Sequence, residues 1–324
     1  NNKSFRHAEH PRSFASAITI DKNIYIYGGQ VKGKVLNSSL QIDTGGLKTM
    51  ITAKGLGSAP PPRLRNSTCF LDNKFVVVFG GNSGSALNDI FSFNSGSKIW
   101  TKPRASGNPP SARFGHSAAS IDSTMYIFGG TDGREHYNDL NEFVLKGNKW
   151  STLSPSNPPI GRAFHTTTTV NGKVYVFGGS TGSQTLNDLH CYDPSSNSWS
   201  QINAPGAPAA REGHAAAAYK NNLIIVGGKN DDGLFSDVCL FNTDSGTWSQ
   251  ISVSGGPSNL YGHCVAVVGK LLWVMAPGTS DVYWIDVSKA DTGSCNESAS
   301  AQASVPSPNI STPVAASPVS SPAA

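Results

Sequence analysis

The chain has 324 residues, of which 25 are basic and 21 are acidic, and its formal net charge is +4. Because these charges are spread along the chain without a basic stripe, the composition argues against nucleic acid as a partner. The longest apolar stretches, such as residues 265–276, hold about 12 residues, well short of the roughly 20 that a membrane-spanning helix needs. No transmembrane segment is therefore predicted in this sequence.

A unit of similar sequence recurs along most of the chain, and its clearest copy runs from Arg162 to Trp199. Two runs rich in β-branched and aromatic residues flank Asn171-Gly172, a pair typical of a two-residue hairpin turn. A third apolar run and a turn follow, and Trp199 opens a fourth run. The unit is therefore predicted to be a four-stranded antiparallel meander.

The copies keep a close register. They start at Arg12, Arg63, Arg113, Arg162, Arg211 and Leu260, with spacings of 51, 50, 49, 49 and 49 residues. The first five contain a glycine pair, which begins at Gly28, Gly80, Gly129, Gly178 and Gly227. The pattern of an Arg-x-x-His start, Gly-Gly, Asp-Leu-x-x-Tyr-Asp and Trp resembles the kelch repeat, which has a period of about 50 residues. This resemblance implies an all-β, six-bladed propeller with four antiparallel strands per blade, covering residues 1–290.

The sixth copy lacks a fourth run, since the sequence leaves the pattern soon after Asp286. An unpaired sheet edge exposes backbone donors and acceptors, so closure of the propeller needs a strand from elsewhere. Residues 1–5 follow the tryptophan position in the repeat register and are predicted to supply that strand to blade six.

Residues 291–324 are rich in Ser, Ala and Pro and contain no aromatic residue. Such a segment cannot bury a core, and it is predicted to be a disordered, glycosylated stalk. This favours a secreted or surface-tethered protein, with a cytoplasmic one as the alternative. Asn37 and Asn66 lie in glycosylation sequons of the propeller.

The arginines at the starts of the repeats are the first candidate ligand-binding residues. Arg12, Arg63, Arg113, Arg162 and Arg211 are expected to ring the axial opening. In kelch propellers the face that carries these loops commonly binds acidic peptides, so the resemblance implies charge-assisted binding there. The alternative is that each arginine pairs with an acceptor in a neighbouring blade.

The loop after the third glycine pair is the second candidate, because its sequence differs from the corresponding loops, as recognition loops do. Arg134, His136 and Tyr137 are the predicted contacts in it. The histidines of the repeat starts, His116, His165, His214 and His263, are instead expected to be buried and bonded within their own blades. No metal or cofactor is predicted.

The sequence thus favours a non-catalytic, monomeric binding propeller whose partner is a protein, an acidic peptide or a glycan. The alternative is a kelch-type carbohydrate enzyme, similar to sialic-acid mutarotase or galactose oxidase, because an arginine-lined mouth suits a carboxylated sugar.

Overall fold

The computed structural model describes residues 3–6, 12–52, 56–253, 255–258, 260–279 and 281–289. Apart from a single 3-10 turn at Val287–Lys289, the regular structure of these residues is strand. The strands of the first half are β1 (Lys3–Arg6), β2 (Ser16–Ile20), β3 (Asn23–Tyr27), β4 (Gln30–Val31), β5 (Lys34–Val35), β6 (Ser39–Asp43), β7 (Lys48–Thr52), β8 (Leu56–Gly57), β9 (Ser67–Leu71), β10 (Phe75–Asn82), β11 (Ala86–Asn94), β12 (Ile99–Thr101), β13 (Ser117–Ile121), β14 (Thr124–Phe128), β15 (Leu140–Val144) and β16 (Lys149–Leu153). Those of the second half are β17 (Thr166–Val170), β18 (Lys173–Ser180), β19 (Thr185–Asp193), β20 (Ser198–Ile202), β21 (Ala215–Tyr219), β22 (Asn222–Asn230), β23 (Gly233–Asn242), β24 (Thr247–Ile251), β25 (Cys264–Val268), β26 (Leu271–Met275) and β27 (Asp281–Asp286).

Six antiparallel sheets form the blades. Blade 1 contains β2, β3, β6 and β7, blades 2 to 5 contain the four-strand sets from β9 to β24, and blade 6 contains β25, β26 and β27. Consecutive strands pair because tight turns join them; Asn171 and Gly172, for example, both have positive φ, at 50° and 72°, as a type I′ turn requires. Blade 2 gains β8, which runs parallel to β12. The predicted six-bladed, all-β propeller is confirmed, and the tail at 291–324 lies outside the described residues.

The strand β1 completes blade 6. It pairs antiparallel with β27, with Lys3 opposite Trp284 and Arg6 opposite Asp281. The sheet order is therefore β1-β27-β26-β25, in which the first strand of the chain takes the outer position. Both ends of the described chain meet in one sheet, which covers the edge that β27 would otherwise expose.

The hydrophobic core lies between blades rather than in one centre. Six clusters of buried side chains are present, one for each pair of neighbouring blades. Aromatic contacts recur in them: the Trp150 ring centre lies 5.0 Å from that of Phe143 in its own blade and 5.1 Å from that of Phe79 in blade 2. Each blade is therefore held mainly by its two neighbours.

Two sets of loops lie at the same end of the blades. One set connects each blade to the next and enters the innermost strand; the other connects the second and third strands of a blade. Backbone bridges join the two sets, as between Leu64 and Asn82 and between Ala163 and Ser180. We call this end the loop face, and the residues that enter the innermost strands surround its axis.

Candidate functional site

Six residues, one from each repeat, form a closed ring at the axis of the loop face. This axial ring consists of Phe14, Arg65, Gly115, Phe164, Gly213 and Gly262. The backbone N–H of each member donates to the carbonyl of the member in the preceding blade, over distances of 2.7 to 3.2 Å, and Phe14 closes the circle by donating to Gly262. The ring fixes the position of each of the six segments that enter the innermost strands.

Every member of the axial ring has a left-handed backbone, with φ between 56° and 69°. Three members are glycine, which adopts this conformation without steric cost. The other three are Phe14, Arg65 and Phe164, and a side chain at such a φ costs about 1 kcal/mol or more. Glycine would satisfy the backbone at all six places, so these three side chains are present in spite of a backbone cost.

Aromatic side chains cover the glycines of the ring. A Cβ atom on Gly115 would lie 2.6 Å from the Phe164 ring, and one on Gly262 would lie 2.5 Å from the Phe14 ring. Tyr261, the residue before Gly262, covers Gly213 in the same way, at 2.3 Å. The glycines therefore allow aromatic rings to lie directly over the backbone at the axis.

The side chain of Arg65 extends across the ring. Its guanidinium carbon lies 4.6 Å from the ring centre of Phe14, 4.8 Å from that of Phe164 and 5.9 Å from that of Phe114. These rings belong to blades 1, 4 and 3, so the cation lies near the axis, held by cation–π contacts. Its Nε atom is buried without a hydrogen-bond partner, and among the described residues no carboxylate forms an ion pair with it.

The axial ring opens into a cavity, which we call the axial mouth. It is open to solvent, has a volume of about 120 Å³, and is lined by the axial ring, by Tyr261 and by the layer of side chains below. Beside it, Lys229 lies 3.3 Å from the Glu212 carboxylate and 4.8 Å from the Tyr261 ring centre. Because Lys229 and Glu212 neutralise each other, Arg65 gives the mouth its net positive charge within the part of the chain that the structure describes.

The layer below the ring contains the four repeat-start histidines, and all four are buried. The side-chain partners of two of them lie in the preceding blade, whereas the sequence expectation placed them in the same blade: His116 Nε2 lies 2.9 Å from the Ser67 hydroxyl, and His214 Nε2 lies 2.9 Å from the Thr166 hydroxyl. Burial, aided by the charge of Arg113, lowers the pKa of His116 to about 3. Burial lowers the pKa of His263 to about 4. This layer is therefore neutral at pH 7, and two of its members, His116 and His214, join neighbouring blades.

Comparison with known proteins places this architecture in a family. The model of the KLHDC2/KLHL20/DRC7 Kelch-repeats domain matches residues 3–130 and 84–276, which together span most of the chain. The chain belongs to the kelch-repeat family. Its axial mouth and loop face are therefore those of a kelch propeller.

Individual kelch proteins match over shorter segments. Kelch repeat-containing protein 2 of Saccharomyces cerevisiae is 31% identical over 173 residues, which cover 48% of this chain and 19% of that protein. Kelch domain-containing protein 3 of Bos taurus is 30% identical over 154 residues, covering 43% of this chain and 40% of that protein. Rab9 effector protein with kelch motifs of Xenopus laevis is 27% identical over 122 residues, covering 36% of this chain and 33% of that protein. In each case the match spans well under two thirds of the relative.

The repeat-start arginines of this kelch propeller lie in a different environment from the one expected. Arg63, Arg113, Arg162 and Arg211 are at most 1% exposed, so they do not line the mouth as free donors. Each guanidinium forms a two-bond ion pair with an aspartate of its own repeat, and not of a neighbouring blade, and donates to the carbonyl of the first glycine of the pair. The aspartates are Asp89, Asp139, Asp188 and Asp237, at 2.6 to 3.1 Å. Their charges are satisfied internally, because a buried cation is costly without an anionic partner.

Arg12, the fifth of these arginines, is also buried, but its partners are two carbonyls and the Ser38 hydroxyl. It therefore does not line the axial mouth either, and it is the one repeat-start arginine for which the described residues provide no carboxylate.

The loop of blade 3 lies on the loop face, away from the axis. Arg134 is exposed there. The His136 ring reaches the loop of blade 4, where a Cβ atom on Gly182 would lie 2.7 Å from it. Tyr137 is half-buried, and its ring centre lies 4.5 Å from the guanidinium carbon of Arg113. Tyr137 thus covers an internal ion pair, while Arg134 remains accessible to a partner.

Sequence reasoning missed the residues that fill the mouth: Arg65, Phe14, Phe164 and Tyr261. A signal for Arg65 was present, because it stands two residues after the repeat-start arginine, where three other repeats have glycine. The stacking of rings from three blades around one cation has no signature in any single repeat.

The described residues contain neither a metal-binding cluster nor a membrane-spanning helix. Their His, Cys, Asp and Glu side chains include no group of three or more placed to hold a metal ion. None of their helical segments has the length and apolar character needed to cross a membrane.

Proposed function

We propose that this kelch propeller is a non-catalytic binding module, and that its axial mouth takes an acidic segment of a partner protein. The observation that carries the proposal is the position of Arg65, a cation near the axis with three aromatic neighbours and no ion pair among the described residues. Similarity to a Rab9 effector protein with kelch motifs supports a protein as the partner.

The chemistry of the mouth favours an anionic ligand. A guanidinium stacked on aromatic faces leaves its N–H edge available, and that edge binds carboxylate groups with two parallel hydrogen bonds. Because the neighbouring histidines are neutral at pH 7, they neither repel a cation nor attract an anion. Apolar side chains of a peptide can pack on the rings of Phe14, Phe164 and Tyr261.

The carbohydrate-enzyme alternative is less well supported. It depended on a ring of free arginines, and those side chains are bonded to aspartates of their own repeats. The cavity contains one cation and neutral histidines, which favours binding of a ligand over proton transfer to or from it. A glycan with a carboxylate group has the same recognition chemistry and is included in the test below.

An array of acidic peptides and glycans, probed at two salt concentrations, tests the proposal. Wild type is compared with Arg65→Gln and with Arg104→Gln, which removes an equal charge from an exposed residue that does not line the mouth. We expect Arg65→Gln to lose at least tenfold in affinity and most of the salt dependence, and Arg104→Gln to bind as wild type. Equal binding by the Arg65→Gln protein would place the site elsewhere, with Arg134 the next residue to change.

We further propose that the protein is monomeric. We also propose that it is secreted or surface-tethered, and this second proposal rests on the Ser/Ala/Pro-rich segment at 291–324. Asn66 is buried and donates to the Ser16 hydroxyl, so it is not available for glycosylation in the folded chain. Asn37 is half-buried and better placed. Mass spectrometry of the native protein should find glycans on Asn37 or on the tail; their absence from both would favour an intracellular protein.

A further inference from the structure

The first repeat breaks the arginine–aspartate pattern of the others. In blades 2 to 5 the aspartate stands 26 residues after the arginine. The residue that follows this aspartate lies on the third strand and pairs with the residue that precedes Gly-Gly, which is Phe or Val. In blade 1 the residue 26 positions after Arg12 is Ser38. It also directly precedes Ser39, which pairs with Tyr27, so the backbone register is the same. A hydroxyl group thus stands where four other repeats have a carboxylate.

Arg12 keeps the position of its counterparts in spite of this change. Its Nη1 donates to the carbonyl oxygens of Ser38, at 2.6 Å, and Gly28, at 3.3 Å, and its Nη2 donates to the Ser38 hydroxyl at 3.0 Å. These are neutral acceptors, and Nε has no hydrogen-bond partner among the described residues. Arg12 is therefore a buried cation without a described counter-ion.

The exposure of Arg12 indicates where a counter-ion could enter. Arg12 is 6% exposed, against 0 to 1% for the four arginines whose aspartates cover them. Ser38 is itself half-buried, so its hydroxyl lies at the border between the core and solvent. In the other blades the aspartate side chains are 21 to 34% exposed, which means that this slot is open to solvent from the carboxylate side.

A buried guanidinium without an anion is costly, because its desolvation is not repaid by a charged partner. In agreement, burial lowers the pKa of Arg12. The four other repeats show which anion the geometry accepts. It is a carboxylate that accepts hydrogen bonds from Nη1 and Nη2 of the arginine, at 2.6 to 3.1 Å.

We propose that Arg12 and Ser38 form a carboxylate-binding site in blade 1, in which an external carboxylate occupies the place that aspartate has in blades 2 to 5. The guanidinium of Arg12 binds the carboxylate oxygens, and the Ser38 hydroxyl turns to donate to one of them. A free organic acid and an acidic side chain of a bound protein share this chemistry. The site is separate from Arg65 and does not depend on the function proposed for the axial mouth.

The sequence contains one nearby carboxylate that could compete. Glu9 stands three residues before Arg12, outside the described residues. If Glu9 filled the slot, its removal would create a dependence on external carboxylate that the wild type lacks. The variant Glu9→Gln therefore belongs in the test.

The test is a titration with acetate, exchanged against chloride at constant ionic strength, in which the thermal unfolding midpoint is followed. In the wild type we expect a saturable rise of about 2 °C or more, because a ligand of the native state stabilises it. Ser38→Asp fills the slot, so its midpoint should start higher and not respond. Asp89→Ser removes the carboxylate from the same slot in blade 2, so acetate should raise the midpoint of this variant more than that of the wild type. If Asp89→Ser does not fold, the comparison of wild type with Ser38→Asp still tests the site.

Equal responses of wild type and Ser38→Asp to acetate would overturn the site, as would a response that only Glu9→Gln displays. The source of the carboxylate is then decided with an aspartate-containing peptide and its asparagine counterpart: stronger protection by the peptide than by acetate favours a protein ligand, and equal protection favours a free acid. An Arg65→Gly variant should keep the acetate response, which separates this site from the axial mouth.

Discussion

The guanidinium carbon of Arg65, in blade 2, lies 4.8 Å from the ring centre of Phe164, in blade 4. Residues of non-adjacent blades meet because six blades leave a narrow axis, around which the axial ring closes with one hydrogen bond per blade. The cation thus depends on the closed ring for its neighbours. It also gives the loop face a centre, on which a ligand can contact several blades at once.

Replacing Arg65 by glycine should separate binding from stability. Glycine already occupies three places in the axial ring, and Arg65→Gly removes a side chain from a left-handed backbone. Relief of this strain stabilises the folded chain by about 1 kcal/mol, and the greater conformational entropy of glycine in the unfolded chain offsets the gain. We expect a thermal midpoint within about 2 °C of wild type together with loss of the acidic ligand. Calorimetry and a binding titration measure the two quantities.

Arg134→Ala is the matched control for that substitution, since it removes an exposed cation from the same face. It should leave both the midpoint and the mouth ligand unchanged. A marked loss of stability in the Arg65→Gly protein would mean that Arg65 serves the fold, and the binding role would then lose its main support.

Gly213 should not tolerate a side chain. It has φ +61°, and a Cβ atom there would lie 2.3 Å from the Tyr261 ring. Gly213→Ala combines backbone strain with this overlap, so we expect a destabilisation of about 2 to 3 kcal/mol by denaturant unfolding. Gly246 has a similar φ of +67° and nothing within 4 Å, so Gly246→Ala should show the strain alone, about 1 kcal/mol. Similar losses in both variants would mean that the Tyr261 ring moves away at little cost.

The fold could be predicted from sequence because each repeat encodes its own sheet. The turn at Asn171-Gly172 marks a strand end locally, and each glycine pair either follows the second strand or marks a bulge in it. The register of Arg162 with its neighbours gives the number of blades. Closure also has a sequence signal, since the sixth repeat lacks a fourth strand and the structure has β1 beside β27.

The site could not be predicted to the same degree, because it depends on contacts between repeats. Arg113 and Asp139 stand 26 residues apart, and nothing in the sequence says that the pair is closed on itself rather than directed at a ligand. The same holds for Arg65, whose aromatic neighbours come from three other blades. The repeat period gives the position of a residue within its blade, but it does not give the residues of other blades that this residue contacts across the axis.

Breaking one internal ion pair should be far more damaging than breaking a surface one. Burial opposes ionisation of Asp188, but the hydrogen bonds and charge of Arg162 outweigh it and hold the pKa of this carboxyl well below its usual range. Asp188→Asn leaves Arg162 buried without a counter-ion, and we expect a loss of about 3 kcal/mol in the free energy of unfolding. Asp193→Asn removes the partner of the exposed Lys173 and should change the free energy of unfolding little. Equal losses would show that Arg162 finds another acceptor.

The histidine layer predicts how stability depends on pH. His116 has a pKa of about 3 in the folded chain and about 6.5 when unfolded, so the unfolded chain binds more protons between these values. The stabilising contribution of neutral His116 is complete above pH 6.5 and is lost progressively as the pH falls towards 3. His165, His214 and His263 act in the same direction, since burial lowers each pKa.

The variant His116→Asn isolates one of these protons. Asparagine occupies the same slot in the second repeat, where Asn66 donates to the Ser16 hydroxyl of the preceding blade at 2.9 Å, so the fold accommodates it. The variant should be less stable at pH 7, because the edge contact of His116 with Phe79 is lost. Between pH 6 and 5, however, its free energy of unfolding should fall less steeply than that of wild type, by about 1.4 kcal/mol per pH unit for one proton. Urea unfolding at several pH values measures this slope. Parallel curves for the two proteins would mean that His116 binds its proton in the folded chain as readily as in the unfolded one.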